Sequence, residues 1–417
     1  MKVQRHFLKH PNPIIPQLCE YSKSLYNQAN FYMRQIHFWN YHYPDLKVPQ
    51  LNINDLWALV KNEECCKNLH NTKTAKQTLF KLLNDWSNYW KALKTYKVNP
   101  NAFLSKPRAP KYKDKYAQVI FYNETVSRRF LKQNIIRPTN GCFEIKSAIK
   151  NFKQVVITPK TFGFIIEISY EDEAKSNSNK PNKDNCCAID IGVNNLCAIT
   201  SDQLDFPILV NGRIVKSINQ WYNKKQSSKK RSCKRYFRLE NYFHHVSKYI
   251  VQLCLENNIG TIIIGHNTGW KQNTKKDKRM RRKERQKFQY VPFYRLFQKI
   301  EYKASEYGIE IRYVNESYTS KCSYYDREEL KHSEEYMGRR VKRGLFKSSD
   351  GRLLNADVNG SANIGRKVKV IQNGKDFHGK LYYARLDRSL AARPVGINPL
   401  NVFSGAISQT LEVTKIL

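Results

Sequence analysis

Acidic residues are scarce in this chain. Its 417 residues include 35 Asp and Glu against 73 Lys and Arg, which gives a formal net charge of +38. An excess of this size favours a polyanionic partner, because clustered positive charge attracts phosphate groups. Hydrophobic residues make up 41% of the chain, which excludes disorder throughout, and aromatic residues make up 12%, which supplies rings that can stack on bases.

Long apolar runs and C-x-x-C cysteine pairs are absent. No apolar stretch approaches the ~20 residues needed to span a bilayer, and the first residues, MKVQRHFLKHPNP, lack the apolar core of a secretory signal. We therefore expect a soluble, cytoplasmic protein without a membrane partner. The ten cysteines include neighbours such as Cys65 and Cys66, which chelate a tetrahedral ion poorly. Reduced, mostly buried thiols are expected.

The pattern of apolar residues changes along the chain. Spacings of three and four in residues 15–105 predict helices, and short β-branched runs at 117–170 predict strands. The polar stretch 173–185 predicts a linker. Beyond it, strand-like runs alternate with helical patterns, which predicts an α/β half. Residues 371–417 show weak periodicity and are expected to form a loose tail.

Two aspartates stand at element ends in the α/β half. Asp190 follows the apolar run CAI and precedes a Gly-Val-Asn-Asn turn, and Asp357 is the lone acid of NADVNGSANIG, where a helix can begin. Two carboxylates that meet at one sheet edge can hold Mg²⁺ ions about 3.5–4 Å apart and support phosphodiester hydrolysis. Spacing does not show that they meet, and each aspartate alone is also typical of a cap or a turn.

Basic residues concentrate in a proline-broken loop at 105–115 and in two runs at 224–235 and 271–287. Each segment is either a solvated surface or a contact for a nucleic-acid backbone, and the net charge favours the second interpretation. Trp270 is either a wedge between a strand end and the next helix or a ring that stacks on a base. The candidate nucleic-acid contacts are Lys106, Arg108, Lys111, Lys113, Lys224, Lys225, Lys229, Lys230, Arg231, Trp270, Lys271, Arg281, Arg282 and Arg343.

Eight segments between residues 22 and 366 together resemble one known family. In order, they are SKSLYNQAN, KPRAPKYK, AIDIGVNNLCAIT, LVNGRIVKSINQWYNKK, IIIGHNTGWKQ, ESYTSKCS, GRRVKRGLFKSSDG and ADVNGSANI. The chain resembles the TnpB proteins of bacterial insertion sequences, the transposon relatives of type V CRISPR nucleases. It resembles a variant with a GxNxxWKQ motif and a degenerate zinc ribbon.

The resemblance implies an RNA-guided DNA endonuclease that binds a guide RNA from its own locus and cleaves complementary target DNA beside a short flanking motif. It implies an α/β fold plus a β-barrel, in a prokaryotic protein that associates with the nucleoid when bound to DNA. Transposon or CRISPR context and oligomeric state stay open. The expected domains are a β-barrel wedge at 1–14 and 106–172, a helical recognition domain at 15–105, a RuvC-like, ribonuclease H-type domain at 186–320 and 353–370, and a nucleic-acid-binding insert at 321–352.

The resemblance also assigns catalytic residues. Asp190 and Asp357 match the family's first and third acids, which bind Mg²⁺, with Mn²⁺ as the alternative ion. The second acid, a Glu after the TIII strand, is replaced here by Gly265, which offers no side-chain ligand. Glu316, just beyond the strand IEIRYV, can substitute from the neighbouring strand. If Glu316 is instead an acid paired with a nearby Arg, the protein binds its targets without cutting them. His266 is kept out of the site because Mg²⁺ prefers oxygen ligands.

The four-cysteine zinc ribbon of the family is incomplete in this sequence. Cys322 is retained, FKSSDG holds no cysteine, and His332 would bring the number of ligands only to two. A tetrahedral structural site needs four nitrogen or sulfur ligands, so no zinc is predicted. Packing around aromatic residues is expected to hold the insert, through Tyr324, Tyr325, Tyr336 and Phe346.

Overall fold

The structure, a computed structural model, describes residues 2–9, 11–69, 71–138, 143–161, 163–171, 180–224, 228–267, 286, 288–371 and 394–402. Within these ranges each helix is too short or too polar to cross a membrane. The chain divides into two compact units, Met1–Lys175 and Ser176–Leu417.

The first unit packs helices against an antiparallel sheet. Its described helices are α1 (Ile14–His42), α2 (Ile53–Val60), α3 (Glu64–Lys67), α4 (Thr72–Val98) and α5 (Arg128–Lys132). Its described strands are β1 (Lys2–Leu8), β2 (Val119–Tyr122), β3 (Ile135–Ile136), β4 (Ile145–Lys146), β5 (Phe152–Lys160) and β6 (Gly163–Tyr170). Four of these strands form a sheet in the order β1-β6-β5-β2, and β3 pairs with β4. Closure of the strands into a barrel stays a prediction.

The core of this unit follows the helical pattern seen in the sequence. Leu18 and Leu25 on α1, and Leu79 and Trp86 on α4, are buried in one cluster with inward residues of the sheet. Trp86 is 1% exposed, and its indole N–H donates to Asn30 Oδ1 at 2.9 Å. Trp86 thus lies in the core and Trp90 packs against it partly buried, as their spacing predicts, whereas Phe80 of the same helix is 42% exposed.

The second unit is built on a six-stranded mixed sheet in the order β11-β10-β7-β8-β9-β15. β7 pairs antiparallel with β8 and parallel with β10, which pairs parallel with β11. The strands are β7 (Asn182–Ile191), β8 (Asn195–Ser201), β9 (Ile208–Asn211), β10 (Ile259–Gly265), β11 (Glu310–Val314), β12 (Arg339–Lys342), β13 (Leu345–Lys347), β14 (Leu353–Asn355) and β15 (Val395–Ile397). The helices described in this unit are α6 (Arg213–Asn223), α7 (Lys229–Glu256), α8 (Phe293–Ser305), α9 (Ala356–Ile371) and α10 (Pro399–Val402).

The two faces of this sheet are covered by different helices. Side chains alternate along β7, so Cys187 and Ile189 join the core formed with α7 and α8, whereas Cys186 and Ala188 join a smaller core formed with α9. Asp190 comes two residues after Ala188 and therefore points to the face that α9 covers. The alternation of side chains along β7 thus determines the side of the sheet on which Asp190 lies.

Two boundaries differ from those predicted. β7 begins at Asn182, inside the predicted linker, because Asn182 N–H donates to Asn258 Oδ1 at 3.0 Å and the strand already pairs with β10. Val395–Ile397 was predicted to lie in a loose tail, but it pairs parallel with β9 and extends the sheet. A three-residue edge strand is too short to produce a visible alternation in the sequence.

Strands β12 and β13 of the predicted insert, 321–352, pair with β14, just beyond its predicted end, in a three-stranded antiparallel sheet of order β12-β13-β14. Phe346 on β13 is 2% exposed, and Gly338 lies against it so closely that a Cβ there would be 2.4 Å from the ring. Tyr324 is also buried, and the Arg352 guanidinium lies 4.2 Å from the Tyr325 ring centroid. Three of the four predicted aromatic residues thus pack within or against the insert, whereas the absence of zinc stays a prediction.

Candidate functional site

Asp190 lies near the carboxyl end of β7, in the centre of the sheet, opposite Ala198 of β8. Helix α9 approaches it closely at Gly360, where a Cβ would be only 2.7 Å from Asp190 Oδ2. The neighbouring Ser361 hydroxyl donates to the Ala188 carbonyl at 2.8 Å. A glycine is thus required at position 360 for the helix to lie against the acid.

Asp357 lies in the first turn of α9. Asn355 caps this helix, because its Oδ1 accepts from the backbone N–H of Asp357 at 3.0 Å and of Val358 at 3.3 Å. Asn195, the first residue of β8 directly after the turn, donates its amide to Asp357 Oδ2 at 2.7 Å. The predicted helix start and the predicted turn therefore meet, and they bring the two aspartates to one edge of the sheet.

Glu316 follows β11, the strand beyond β10. Asn267 binds both the side chain and the backbone of Glu316. Its amide N–H donates to Glu316 Oε1 at 3.2 Å, and its Oδ1 accepts from the Glu316 backbone N–H at 3.0 Å. A Cβ added at Gly265 would lie 3.4 Å from Glu316 Oε2. The Glu316 carboxylate thus reaches the space that a side chain at position 265 would enter.

The three acids interact electrostatically. Burial, followed by the negative charges of Glu316 and then Asp357, raises the pKa of Asp190 well above its usual range. Burial also raises the pKa of Glu316, although the charge of Lys367 opposes this effect. Acids crowded in this way disfavour full ionisation unless a cation lies between them.

Two cations of the chain lie near these acids. Arg340, from β12 of the insert, has its Nη2 3.7 Å from Asp357 Oδ1, and its side chain is 56% exposed. Lys367 of α9 donates to the Ser317 carbonyl at 2.7 Å, which places its charge beside Glu316. Neither cation lies within 4.0 Å of the Asp190 carboxylate, so the described part of the site leaves negative charge without a direct ion pair at its centre.

The donor set fits a hard divalent cation. Carboxylate and amide oxygens are the ligands of Mg²⁺, which usually takes one or two carboxylates and completes its shell with water and phosphate oxygens. Among the described residues, no three Asp, Glu, His or Cys side chains lie close enough to share one ion. The residues therefore fit ions that each bind one or two of Asp190, Glu316 and Asp357.

Two asparagines that sequence reasoning missed hold the segment after Glu316. Asn359 and Asn363 of α9 donate their amides to the Cys322 carbonyl at 2.9 and 2.8 Å, and Asn363 also donates to the Thr319 carbonyl at 2.9 Å. Both side chains are fully buried. The motif ADVNGSANI thus fixes the motif ESYTSKCS. The sequence does contain a signal for this contact. The two asparagines are four residues apart, which puts them on one face of a helix whose other residues on that face are small or apolar.

His266 lies outside this constellation. Its ring contacts those of Phe297 and Tyr313, at centroid distances of 5.6 and 5.9 Å, and its backbone N–H donates to the Val314 carbonyl. These aromatic rings belong to the side of the sheet that α8 covers. The imidazole is thus occupied in packing, and its omission from the metal site stays a prediction.

The predicted nucleic-acid contacts are spread over both units. Lys106, Arg108, Lys111, Lys224, Lys229, Lys230 and Arg343 are exposed. Arg231 is half-buried, donates to the Trp221 carbonyl at 2.6 Å and lies over the Trp221 ring. Lys225, Trp270, Lys271, Arg281 and Arg282 lie outside the described residues. A nucleic-acid role for each of these side chains stays a prediction.

The loop KPRAPKYK in the first unit is fixed by the motif SKSLYNQAN. Asn27 forms a reciprocal pair of hydrogen bonds with the backbone of Lys113, at 2.9 and 2.7 Å, and Asn30 donates to the Pro110 carbonyl at 3.2 Å. Arg34, one turn beyond the motif on α1, donates to the same carbonyl at 2.8 Å. The Lys113 ammonium lies 3.6 Å from Asp85 Oδ2 and over the Tyr26 ring. Lys113 is therefore occupied within the unit, whereas the other basic side chains of the loop face solvent.

Comparison with known families matches residues 293–364 to the Cas12f1-like TNB domain. This segment runs from α8 to α9 and contains Glu316 and Asp357, and it covers less than half of the chain. Comparison with curated proteins gives no match.

Among solved structures, a Cas12f1–sgRNA–target DNA complex matches at 14% identity with a TM-score of 0.45, covering 84% of this chain and 82% of that one. A CRISPR–Cas12f ternary complex matches at 12% identity with a TM-score of 0.30, covering 87% and 81%. Both TM-scores are below 0.5, so these two structural matches do not indicate what the site does.

Proposed function

We propose that this protein is an RNA-guided DNA endonuclease with a RuvC-like site formed by Asp190, Glu316 and Asp357. The observation that carries the proposal is that three acids from distant segments lie at one edge of the sheet, where burial, followed by the charges of Glu316 and Asp357, raises the pKa of Asp190. A chain with a charge of +38 has cations in excess, yet among the described residues only Asp357 of the three acids has an ion-pair partner, Arg340 at 3.7 Å. Acids left in this way support a functional role.

Further support comes from the match of residues 293–364 to the Cas12f1-like TNB domain, which includes two of the three acids. Guide RNA from the protein's own locus and complementary DNA are the proposed partners. Base pairing would read the target sequence, and the protein would contact the phosphate backbone through its basic surfaces.

In this proposal Asp190, Glu316 and Asp357 hold divalent cations, Mg²⁺ or Mn²⁺. Bound there, such ions would activate the attacking water and stabilise the leaving oxygen of a phosphodiester. Asn195 orients Asp357, and Asn267 orients Glu316. Arg340 lies beside Asp357 on the exposed β-strand β12, and in this proposal it would contact a phosphate of the bound DNA.

The test uses the full-length protein co-expressed with RNA from its own locus, and a plasmid library with randomised sequence beside the target. We expect cleavage in Mg²⁺ by the wild type, and a loss of about 10²–10³-fold or more in Asp190→Asn and Glu316→Gln, as when a charge-stabilising group is removed from a transition state. Glu334→Gln is the matched control, because Glu334 is an exposed acid of the insert. Full cleavage by Asp190→Asn would overturn the proposal.

A second candidate function is target binding without cleavage. It is favoured by one observation, that no three ligating side chains among the described residues lie close enough to share an ion. It predicts guide-dependent DNA binding, measured by gel shift, with intact plasmid in Mg²⁺ and in Mn²⁺. A single efficient cut by the wild type eliminates it.

A further inference from the structure

A cleft of about 510 Å³ opens in the second unit beside the turn that follows Asp190. Its apolar lining includes Val193, Tyr290 and Val291, and its polar lining includes Gln220 and Asn223 of α6. The volume falls within the range of about 300–1,000 Å³ typical of sites for small organic ligands. The cleft is therefore large enough for one nucleotide and too small for a duplex.

The turn that joins β7 to β8 links the cleft to two of the acids, Asp190 before the turn and Asp357, which Asn195 after the turn contacts. Lys216, which lines the cleft, donates its ammonium to Asn194 Oδ1 at 3.4 Å, and the next residue, Asn195, donates to Asp357 Oδ2 at 2.7 Å. Val193 of the same turn belongs to the lining. A strand bound across the acids would thus have its neighbouring nucleotide beside the cleft.

The walls of the cleft are joined by Arg235 of α7. Its guanidinium donates to Asn219 Oδ1 and to the Tyr290 carbonyl, both at 2.7 Å, and lies 5.4 Å from the Tyr290 ring centroid. These bonds connect α6, α7 and the segment before α8. Contacts within the protein therefore hold the walls of the cleft in position without a ligand.

Two amide side chains of the lining are available to a ligand. Within the part of the chain that the structure describes, the side chains of Gln220 and Asn223 form no hydrogen bond, and both are exposed. Amides offer a donor and an acceptor together, which is the pattern that base edges match. The neighbouring Lys224 adds a cation suited to a phosphate.

We propose that this cleft binds a single nucleotide of the DNA strand that is cut, adjacent to the scissile phosphate. The base would lie against Tyr290 and the two valines, with its edge on Gln220 and Asn223. This inference rests on the proposed nuclease function, and it assigns to α6 a preference for the base beside the cut.

Photo-crosslinking tests the cleft independently of cleavage. The full-length protein with its co-expressed RNA would carry p-benzoylphenylalanine at position 220, at 223, or at 252 as a control, and would be irradiated with a fluorescein-labelled single-stranded oligodeoxynucleotide in EDTA. Gln252 is an exposed glutamine of α7 and is not part of the cleft lining. We expect crosslinks from 220 and 223 well above those from 252. Equal or absent crosslinking would overturn the inference.

Alanine variants supply a second readout. Gln220→Ala with Asn223→Ala should weaken single-strand binding in EDTA by about tenfold, since two hydrogen bonds are lost, and alanine preserves the helix. Gln252→Ala should bind like the wild type, and unchanged binding by the double variant would count against the cleft. Where cleavage occurs, the double variant should lose base preference at one position beside the cut. Absence of cleavage with intact crosslinking would contradict the proposed nuclease and leave the cleft supported.

Discussion

Asp85 in the first unit and Asp190 in the second are both half-buried acids, but their neighbours carry opposite charges. Asp85 accepts hydrogen bonds from Lys81 Nζ and the Tyr26 hydroxyl, both at 2.9 Å. Burial raises the pKa of Asp85, but these bonds and the charges of Lys81 and Lys113 more than offset it, and the pKa is lowered. Around Asp190, burial and the charges of Glu316 and Asp357 act in the same direction and raise the pKa.

The difference separates a structural acid from a functional one. Basic residues outnumber acidic ones two to one in this chain. At Asp85, two of them, Lys81 and Lys113, form ion pairs that help to stabilise the folded state. At the sheet edge, by contrast, three acids lie together, and Arg340 and Lys367 are the cations that the described residues place near them. An arrangement that disfavours the folded state without a ligand is typical of a site that binds a cation.

The first prediction moves the acid within the site. In Gly265→Glu combined with Glu316→Gly, the new Cβ would lie 2.5 Å from Ile364 Cδ1, so we expect cleavage to fall about 10²-fold or more. Adding Ile364→Val removes Cδ1 at a cost of about 0.5–1.5 kcal/mol in stability. This triple variant should recover about tenfold in plasmid cleavage. Equal activity of the double and triple variants would show that Ile364 does not control access to this space.

The second prediction compares the two acids directly. Asp85→Asn should lower the free energy of unfolding by about 1–3 kcal/mol, because hydrogen bonds to a charged group are lost. Asp190→Asn should leave it unchanged or raise it by about 1 kcal/mol in EDTA, because repulsion is relieved. Urea denaturation of both variants beside the wild type measures the two changes. Destabilisation of similar size in both would contradict the comparison.

The third prediction concerns pH. The pKa of Asp85 is lower in the folded state than in the unfolded chain, so its contribution to stability is fully present above the unfolded pKa of about 3.9 and declines as the pH falls through the folded value. The difference in unfolding free energy between wild type and Asp85→Asn should therefore be constant from pH 7 to about 5 and shrink below about 4. A difference that grows as the pH falls would reverse the assigned sign.

The sequence indicated most of the elements that carry the site. The apolar run before Asp190 predicts β7, and the Asn-rich stretch around Asp357 predicts a helix start, because strands and caps depend on neighbouring residues. Glu316 was placed beyond its strand by the same local pattern. That Glu316 enters the space left by Gly265 depends on the parallel pairing of β10 with β11, which no local pattern contains.

The residues that were missed act through tertiary contacts. Arg340 reaches Asp357 from an insert strand, and Asn359 and Asn363 bind backbone carbonyls about 40 residues earlier in the chain. The strand Val395–Ile397 was assigned to a tail for the same reason, since its pairing with β9 joins segments about 190 residues apart in the chain. Long-range pairing therefore marks the limit of sequence reasoning for this chain.

The central claim is that Asp190, Glu316 and Asp357 together hold divalent cations at one edge of the sheet, each ion bound by one or two of the three acids. Electron paramagnetic resonance of Mn²⁺ added to the full-length protein measures this without a guide or a cut. Asp190→Asn, Glu316→Gln and Asp357→Asn should each weaken Mn²⁺ binding by about tenfold or more, while Glu334→Gln binds like the wild type. Wild-type Mn²⁺ binding by Glu316→Gln would contradict the claim.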